Sequence, residues 1–234
     1  MAGKQDPMQV HRDGNSRISV LTVSENKPAV RTRDAEATRQ RILNAAKREF
    51  AHFGLGGARV DEIAKRAKAN KRMIYHYFGG KEELFTAVLE DAYLDIRAAE
   101  RKLNLDAMPP MEAMEALVSF TWNYYLKNPE FIILVNSENL HKARHLKKSD
   151  VIKSEYPGFV SLAQKIIDRG VTDGVFRPGL DPMQLNITIA AINYFYLTNR
   201  YTGSIVYGRD LMDPDLLKAR IAFNIDTIRR LLRA

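Results

Sequence analysis

In the helical part of the chain Asp181-Pro182 and Asp213-Pro214 each pair an aspartate with a following proline, and NPE (128–130) puts Pro129 behind an asparagine. An aspartate side chain accepts hydrogen bonds from the free N–H groups that open a helix. Proline suits the first helical position, where its missing N–H costs nothing. These pairs therefore punctuate the sequence as helix starts. Between them, and back to about residue 34, apolar residues recur at spacings of three and four. No alternating strand pattern of useful length and no tandem repeat interrupts that period, so the fold class is all-α.

The 234 residues are 45% hydrophobic, enough to bury a sizeable core in one large or two modest domains. The longest uncharged stretch, PMQLNITIAAINYFYLTN (182–199), is broken by Gln184, Asn186 and Asn193. It suits a buried interface better than a bilayer. The N-terminus has no signal-peptide pattern, and the absence of cysteine excludes disulfides and thiol chemistry, in keeping with a reducing cytoplasm. The net charge of +8 is uneven. Residues 1–33 carry +3, residues 34–85 carry 11 bases against 7 acids, and the remaining 149 residues carry only +1. That asymmetry fits a front end that meets a polyanion; it also fits a soluble protein with a basic tail.

Residues 1–33 lack a sustained period and read as a flexible basic arm, although RISVLTV (17–23) could form a short local element. From Asp34 an amphipathic helix places Ile42, Ala46, Phe50 and Phe53 on one face, and Gly54 ends it. VDEIAKRA (60–67) is a short second helix with acids at its start and bases at its end, matching the helix dipole. A third begins after Asn70, a good cap, with Ile74 and Phe78 turned inward. GGKEEL then opens a longer helix over about 81–103, and LDAMPP (105–110) is the clearest internal break. The domain expectation is an arm (1–33), a three-helix unit (34–80), a connecting helix (81–104) and a helical body (105–234).

Three short helices with two tight connections describe a helix-turn-helix unit, in which 60–67 braces and 71–77 is the recognition candidate. Its inward pair leaves Lys71, Arg72, Met73, Tyr75 and His76 on the outer side. A DNA major groove about 12 Å wide admits such a helix, with Lys or Arg reaching guanine acceptors. Tyrosine hydroxyls and the Lys81 ammonium can contact phosphates. Alternatively, Tyr75 and Tyr77 pack against the fourth helix and the bases are merely solvated.

The span TRQRILNAAKREFAHFGLGGARVDEIAKRAKANKRMIYHYFGGKEELFTAVL (38–89) resembles the DNA-binding domain of the tetracycline-repressor (TetR) family. It has the ILNAAKREFAHFG helix, VDEIAKRA and MIYHYFGGKEEL in that order. DGVFRPGLDP (173–182) resembles that family's usual connection into its eighth helix. The resemblance implies base-reading positions at Lys71, Arg72 and Met73. It implies phosphate and thymine-methyl contacts at Tyr75, His76 and Tyr77, and a phosphate-clamping Lys81. It further implies an effector pocket and a homodimer interface in residues 105–234. Three positions depart from the pattern. Lys68 stands where glycine is usual, so a left-handed conformation there would be strained. Ala58-Arg59 replaces a hydroxyl residue, though Arg59 could itself reach a phosphate, and Gly80 replaces a capping Ser or Asn.

In the body, helix 182–201 is apolar nearly all round, and the last helix carries Leu217, Ile221, Ile225 and Leu232 on one stripe. Two such helices from each protomer would make a four-helix dimer seam; in a monomer they would close one core. Polar and aromatic residues at inward positions are the pocket candidates for an unknown small-molecule effector: Trp122, Tyr125, Asn136, Asn193, Tyr196 and Arg200. Each also has a plain reading as core or surface.

No cofactor or enzymatic activity is implied. GLGG (54–57) lacks the strand and spacing of a dinucleotide site, and no nucleophile–base arrangement can be read. His141, His145 and Glu138 could chelate a metal, but their Lys/Arg-rich neighbourhood reads more simply as a solvated helix end, so no metal site is assigned. The leading expectation is a homodimeric, ligand-responsive DNA-binding regulator, more a repressor than an activator, acting on a double-stranded two-fold operator. The alternatives are an activator, a DNA-anchored interaction protein without a small ligand, and a small-molecule-binding protein or enzyme that has lost DNA binding.

Overall fold

The computed structural model describes residues 28–233, and every regular element of any length there is a helix. Helix α1 spans Pro28–Gly57, α2 Val60–Ala67, α3 Lys71–Phe78 and α4 Lys81–Arg101. After a 3-10 turn at Leu105–Ala107 come α5 (Pro110–Lys127) and α6 (Pro129–Leu140). A second 3-10 turn, Leu146–Lys148, leads into α7 (Asp150–Thr172), followed by α8 (Pro182–Thr198), α9 (Arg200–Val206) and α10 (Pro214–Leu232). No helix among the described residues is long and apolar enough to cross a membrane. RISVLTV lies outside the described residues, while residues 28–33 begin α1, six residues before the expected start.

The helix starts follow local chemistry. Asp181 accepts from the N–H groups of Met183 and Gln184 at 2.8 and 3.0 Å, and Asp213 from those of Asp215 and Leu216 at 2.9 and 3.3 Å. Pro129 stands at the start of α6 as expected, but Asn128 turns its amide back onto the Tyr124 carbonyl at 2.9 Å and caps nothing. The helix expected over 182–201 breaks at Asn199, and α9 continues as a separate short element.

Gly54 does not end α1. Its φ of 65° and ψ of 175° kink the chain, which then resumes a helical turn to Gly57. The kink breaks the i, i+3 register beyond Phe50. Phe53, expected inside, is 52% exposed, and Leu55 takes the buried place. The core of α1–α3, built on Ile42, Ala46, Phe50, Ile63, Ile74 and Phe78, runs on without a gap into Leu84, Phe85 and Val88 of α4 and then to α5 and α6. Phe50 meets Phe85 edge to face, with ring centroids 5.1 Å apart. A second cluster joins α5, α7, α8 and α10 through Met114, Val118, Ile166, Ile189 and Ile228. Arg169 of α7 fastens the link between α4 and α5 by donating to the carbonyls of Leu105, Asp106 and Met108, each at 2.9 Å.

The α10 stripe expected at a dimer seam faces inward instead. Leu217, Ile221 and Ile225 pack against the protein's own core and Leu232 is fully buried. Phe223 on the opposite side is 62% exposed.

Candidate nucleic-acid interface

The α2–turn–α3 unit closes on three backbone features. Lys68 adopts the left-handed conformation (φ 51°, ψ 43°) that its position demands, despite carrying a side chain. In return its N–H reaches the Lys65 carbonyl at 3.1 Å and that of Ala69 reaches Ala64 at 3.0 Å. These two bonds are the paired closure that usually favours glycine. The Asn70 side chain caps α3 by accepting from the Arg72 N–H at 2.9 Å. Gly79, at φ 89°, then releases the chain into α4.

The start of α2 lacks a hydroxyl cap, and a longer side chain supplies the contact. Buried Glu49 of α1 accepts from the Arg59 N–H at 3.3 Å with one oxygen and pairs with Arg66 at 3.4 Å with the other. Sequence reading missed Glu49 because its partners lie 10 and 17 residues away.

Ile74 and Phe78 of α3 are buried, which turns Lys71, Arg72, Tyr75 and His76 outward. Arg72, Tyr75 and His76 are exposed, and so is Arg59 at the head of α2. Met73 and Tyr77 are half-buried and pack against the core, so Tyr77 is in large part a packing residue. Arg39 of α1 lays its guanidinium over the Phe78 ring, 5.3 Å from its centre. Lys71 pairs with Asp61 across the α2–α3 corner at 2.8 Å. That hydrogen bond, with the charge attraction behind it, lowers the Asp61 pKa and raises that of Lys71. Both groups are well exposed and the pair is screened, so Lys71 can exchange its carboxylate for another anion at little cost. Lys81 donates to the Gly56 carbonyl at 3.2 Å, holding the first turn of α4 to the end of α1.

The six residues singled out in the body are not brought together. Tyr125, stacked on Phe131 with ring centroids 5.7 Å apart, lines a cavity of about 380 Å³ among α4, α5, α6 and α8. Tyr196 instead lines a separate groove of about 360 Å³ with Phe195, Leu211 and Arg220, and donates to the Leu211 carbonyl at 2.9 Å. Trp122 is buried against Tyr196. Asn193 is fully buried, accepting from Asn224 at 2.7 Å and donating to the Val118 carbonyl at 3.3 Å. Asn136 donates to Thr198 at 2.7 Å and accepts from the Tyr194 hydroxyl at 2.5 Å. Arg200 donates to the Leu197 carbonyl at 2.9 Å and covers Tyr201. These last four serve structure rather than line the larger cavity.

That cavity's other polar walls are Tyr93, Arg97 and Glu100 of α4, Thr121, Asn186 and Tyr194. Arg97 is ion-paired with Glu100. Burial raises the Glu100 pKa against the opposing pull of Arg97, and burial likewise raises those of Tyr93, Tyr125 and Tyr194. Tyr93, Arg97 and Glu100 fall at i, i+4 and i+7 on one face of α4. That spacing, on a helix that buries Ala92 and Ile96, was the available signal.

The HKARH segment also departs from expectation. His145 is not solvated but 5% exposed, held between Glu138 and Glu82. Among the described residues no group of histidines and carboxylates has the arrangement of a metal site.

Comparison with known proteins bears on both ends of the chain. The family profile described as bacterial regulatory proteins, tetR family, matches residues 42–88, and the profile described as tetracyclin repressor-like, C-terminal domain, matches residues 110–228. The HTH-type transcriptional repressor NicS of Pseudomonas putida is 39% identical over 207 residues, spanning 88% of this chain and 98% of its own. The HTH-type transcriptional repressor SCO4008 of Streptomyces coelicolor is 33% identical over 180 residues, 76% of this chain and 88% of its own. The crystal structure of SCO4942, also from Streptomyces coelicolor, superposes with a TM-score of 0.62 at 25% identity and covers 83% of this chain and 98% of that one.

Proposed function

The chain belongs to the tetR family of bacterial regulatory proteins, and from that premise we propose that it is a homodimeric transcriptional repressor released from its operator by a small ligand. The observation that carries the reading is the outer face of α3. Ile74 and Phe78 anchor this short helix, while Arg72, Tyr75 and His76 are offered to solvent. A helix so held can enter a major groove, with Arg72 and Lys71 reading base edges and Met73 contacting them from the side. Tyr75, His76, Arg59 and Lys81 then meet phosphates and thymine methyls around the groove. Tyr77, half-buried, adds its hydroxyl edge at most.

Two-fold operators call for a two-fold protein. The supporting surface is the outer side of α8 and α10, where Ile187, Phe195 and Phe223 are 53%, 61% and 62% exposed. The ligand would occupy the cavity lined by Tyr93, Arg97, Glu100, Tyr125 and Tyr194. Its walls include α4, whose first turn follows the recognition helix, so a ligand that binds one position of α4 better than another shifts operator affinity by that difference.

Footprinting on genomic fragments at low salt tests the reading. The expected result is protection of an approximately two-fold site, lost on adding a ligand found by thermal-shift screening. Protection without sequence preference would reject it.

A further inference from the structure

A second basic surface lies between the outer side of α1 and the C-terminal end of α2. There Arg41, Asn44 and Arg48 of α1 meet Arg66, Ala67 and Lys68 around an open groove of about 310 Å³. Among the described residues its lining holds four cations and no acid. All four cations, Arg41, Arg48, Arg66 and Lys68, are exposed. Arg41, Asn44 and Arg48 fall at i, i+3 and i+7, one stripe of α1 opposite the face that buries Ala46 and Phe50.

Two of the cations also serve the fold. Arg41 donates from Nε to the Ala67 carbonyl at 3.3 Å and from a terminal nitrogen to the Thr38 hydroxyl at 2.8 Å. It ties α1 to the end of α2 and keeps N–H groups to spare. Arg66 pairs with buried Glu49 at 3.4 Å. Arg48 and Lys68 have no ion-pair partner among the described residues. The negative end of the α2 dipole accounts for a base such as Arg66 in the last turn, but not for Arg41 and Arg48, which α1 carries.

Lys68 sharpens the point. Its φ of 51° and ψ of 43° cost glycine nothing and strain any residue with a side chain. Strain kept at one residue points to a use for its side chain. The place of the groove supplies that use. Lys68 stands two residues before Asn70, the cap of α3, and Arg41 grips the carbonyl of the residue next to it. The groove thus opens at the N-terminal end of α3, whereas Lys81 follows the C-terminal end. A recognition helix meets base edges with its N-terminal residues while the helix before it crosses the DNA backbone. Cations at that end stand over the phosphates that border the first bases read.

We propose that Arg41, Arg48 and Lys68 form a second phosphate clamp for operator DNA, at the end of α3 opposite Lys81. This rests on the regulator reading above, while the contacts themselves need no particular base sequence. At Lys68 the protein keeps a strained turn in order to hold a cation over the backbone.

The test titrates fluorescein-labelled duplexes with the full-length protein at several salt concentrations, one duplex carrying a footprinted site and one of random sequence. Wild type is compared with Lys68→Gly, Arg48→Gln and Lys165→Gln, the last removing an exposed charge from α7. Lys68→Gly and Arg48→Gln should each bind both duplexes on the order of fivefold more weakly and lower the salt slope by about 1, as loss of one phosphate contact does. Lys165→Gln should change neither. Ethylation of phosphates beside the first bases read should weaken binding by the wild type and make no difference to Lys68→Gly. Thermal melts separate the clamp from a packing role, since Lys68→Gly should melt higher than wild type while binding DNA less well. An unchanged salt slope in Lys68→Gly and Arg48→Gln overturns the proposal. So does an equal loss in Lys165→Gln, which assigns the effect to overall charge. If no fragment is protected specifically, the regulator reading fails, and the random duplex still decides the clamp.

Discussion

The outer faces of α3 and of α8–α10 both present large side chains to solvent, and they differ in what accompanies those side chains. On α3 the exposed Tyr75 stands among Arg72, His76 and Lys71. On the body, Met183, Ile187, Phe195, Ile205, Val206 and Phe223 are exposed with few charges between them. A face that mixes cations and aromatic rings suits a groove walled by phosphates, because both its polar and its apolar parts find partners there. A face that is nearly all apolar is satisfied only by another apolar face, and a soluble monomer rarely leaves one open. On the proposed reading the first would bind through charge and the second through exclusion of water, and perturbations should separate them in that way.

The harshest test is to charge the apolar face. Phe195→Glu combined with Phe223→Glu should leave a folded monomer in analytical ultracentrifugation and weaken operator binding by about 4 kcal/mol or more, the scale of two interface hot spots. A double variant that stays dimeric would mean the two faces are not different in kind. Arg72→Ala should cost about 1–3 kcal/mol, confined to particular base pairs in a binding-site selection. Lys81→Ala should weaken every sequence alike and lower the salt slope by about 1. If instead Arg72 and Lys81 behave the same way, the division of the charged face into readers and clamps is wrong. Lys68→Gly relieves the left-handed turn and should raise stability by about 1 kcal/mol in thermal melts. Asp61→Asn, the mildest change, frees Lys71 from its ion pair and should raise affinity for all DNA about threefold. A loss would show that the pair orders Lys71 for binding rather than competing with DNA.

Much of the fold was legible because its signals are local. Asp181, Asp213 and Asn70 each act on an N–H two or three residues ahead, and Ile74 and Phe78 are one helical turn apart. The left-handed Lys68 was legible from the resemblance, since the family's usual glycine names a backbone conformation. Phe53 was misplaced because a helical period holds only until a residue leaves helical geometry, as Gly54 does. The candidate sites divide along the same line. The face of α3 is one helix and could be read from one period. The cavity gathers side chains from four helices, so choosing inward polar residues found Tyr125 but also took in Asn193, Asn136 and Trp122, which hold the helices together. His145 looked solvated because its neighbours in sequence are basic. The carboxylates that bury it lie 7 and 63 residues away, beyond any local pattern.

Phe50 against Phe85 has a consequence for how the molecule can be taken apart. The three-helix head shares its interior with the helix that follows, so cutting the chain at the glycines before α4 would strip one wall from each side of that contact and leave two sticky stumps. The head is less a tool clipped to a handle than the bevelled end of a single bar. Heat should melt reader and body in one calorimetric peak, and whatever bends the bar should be felt at its tip.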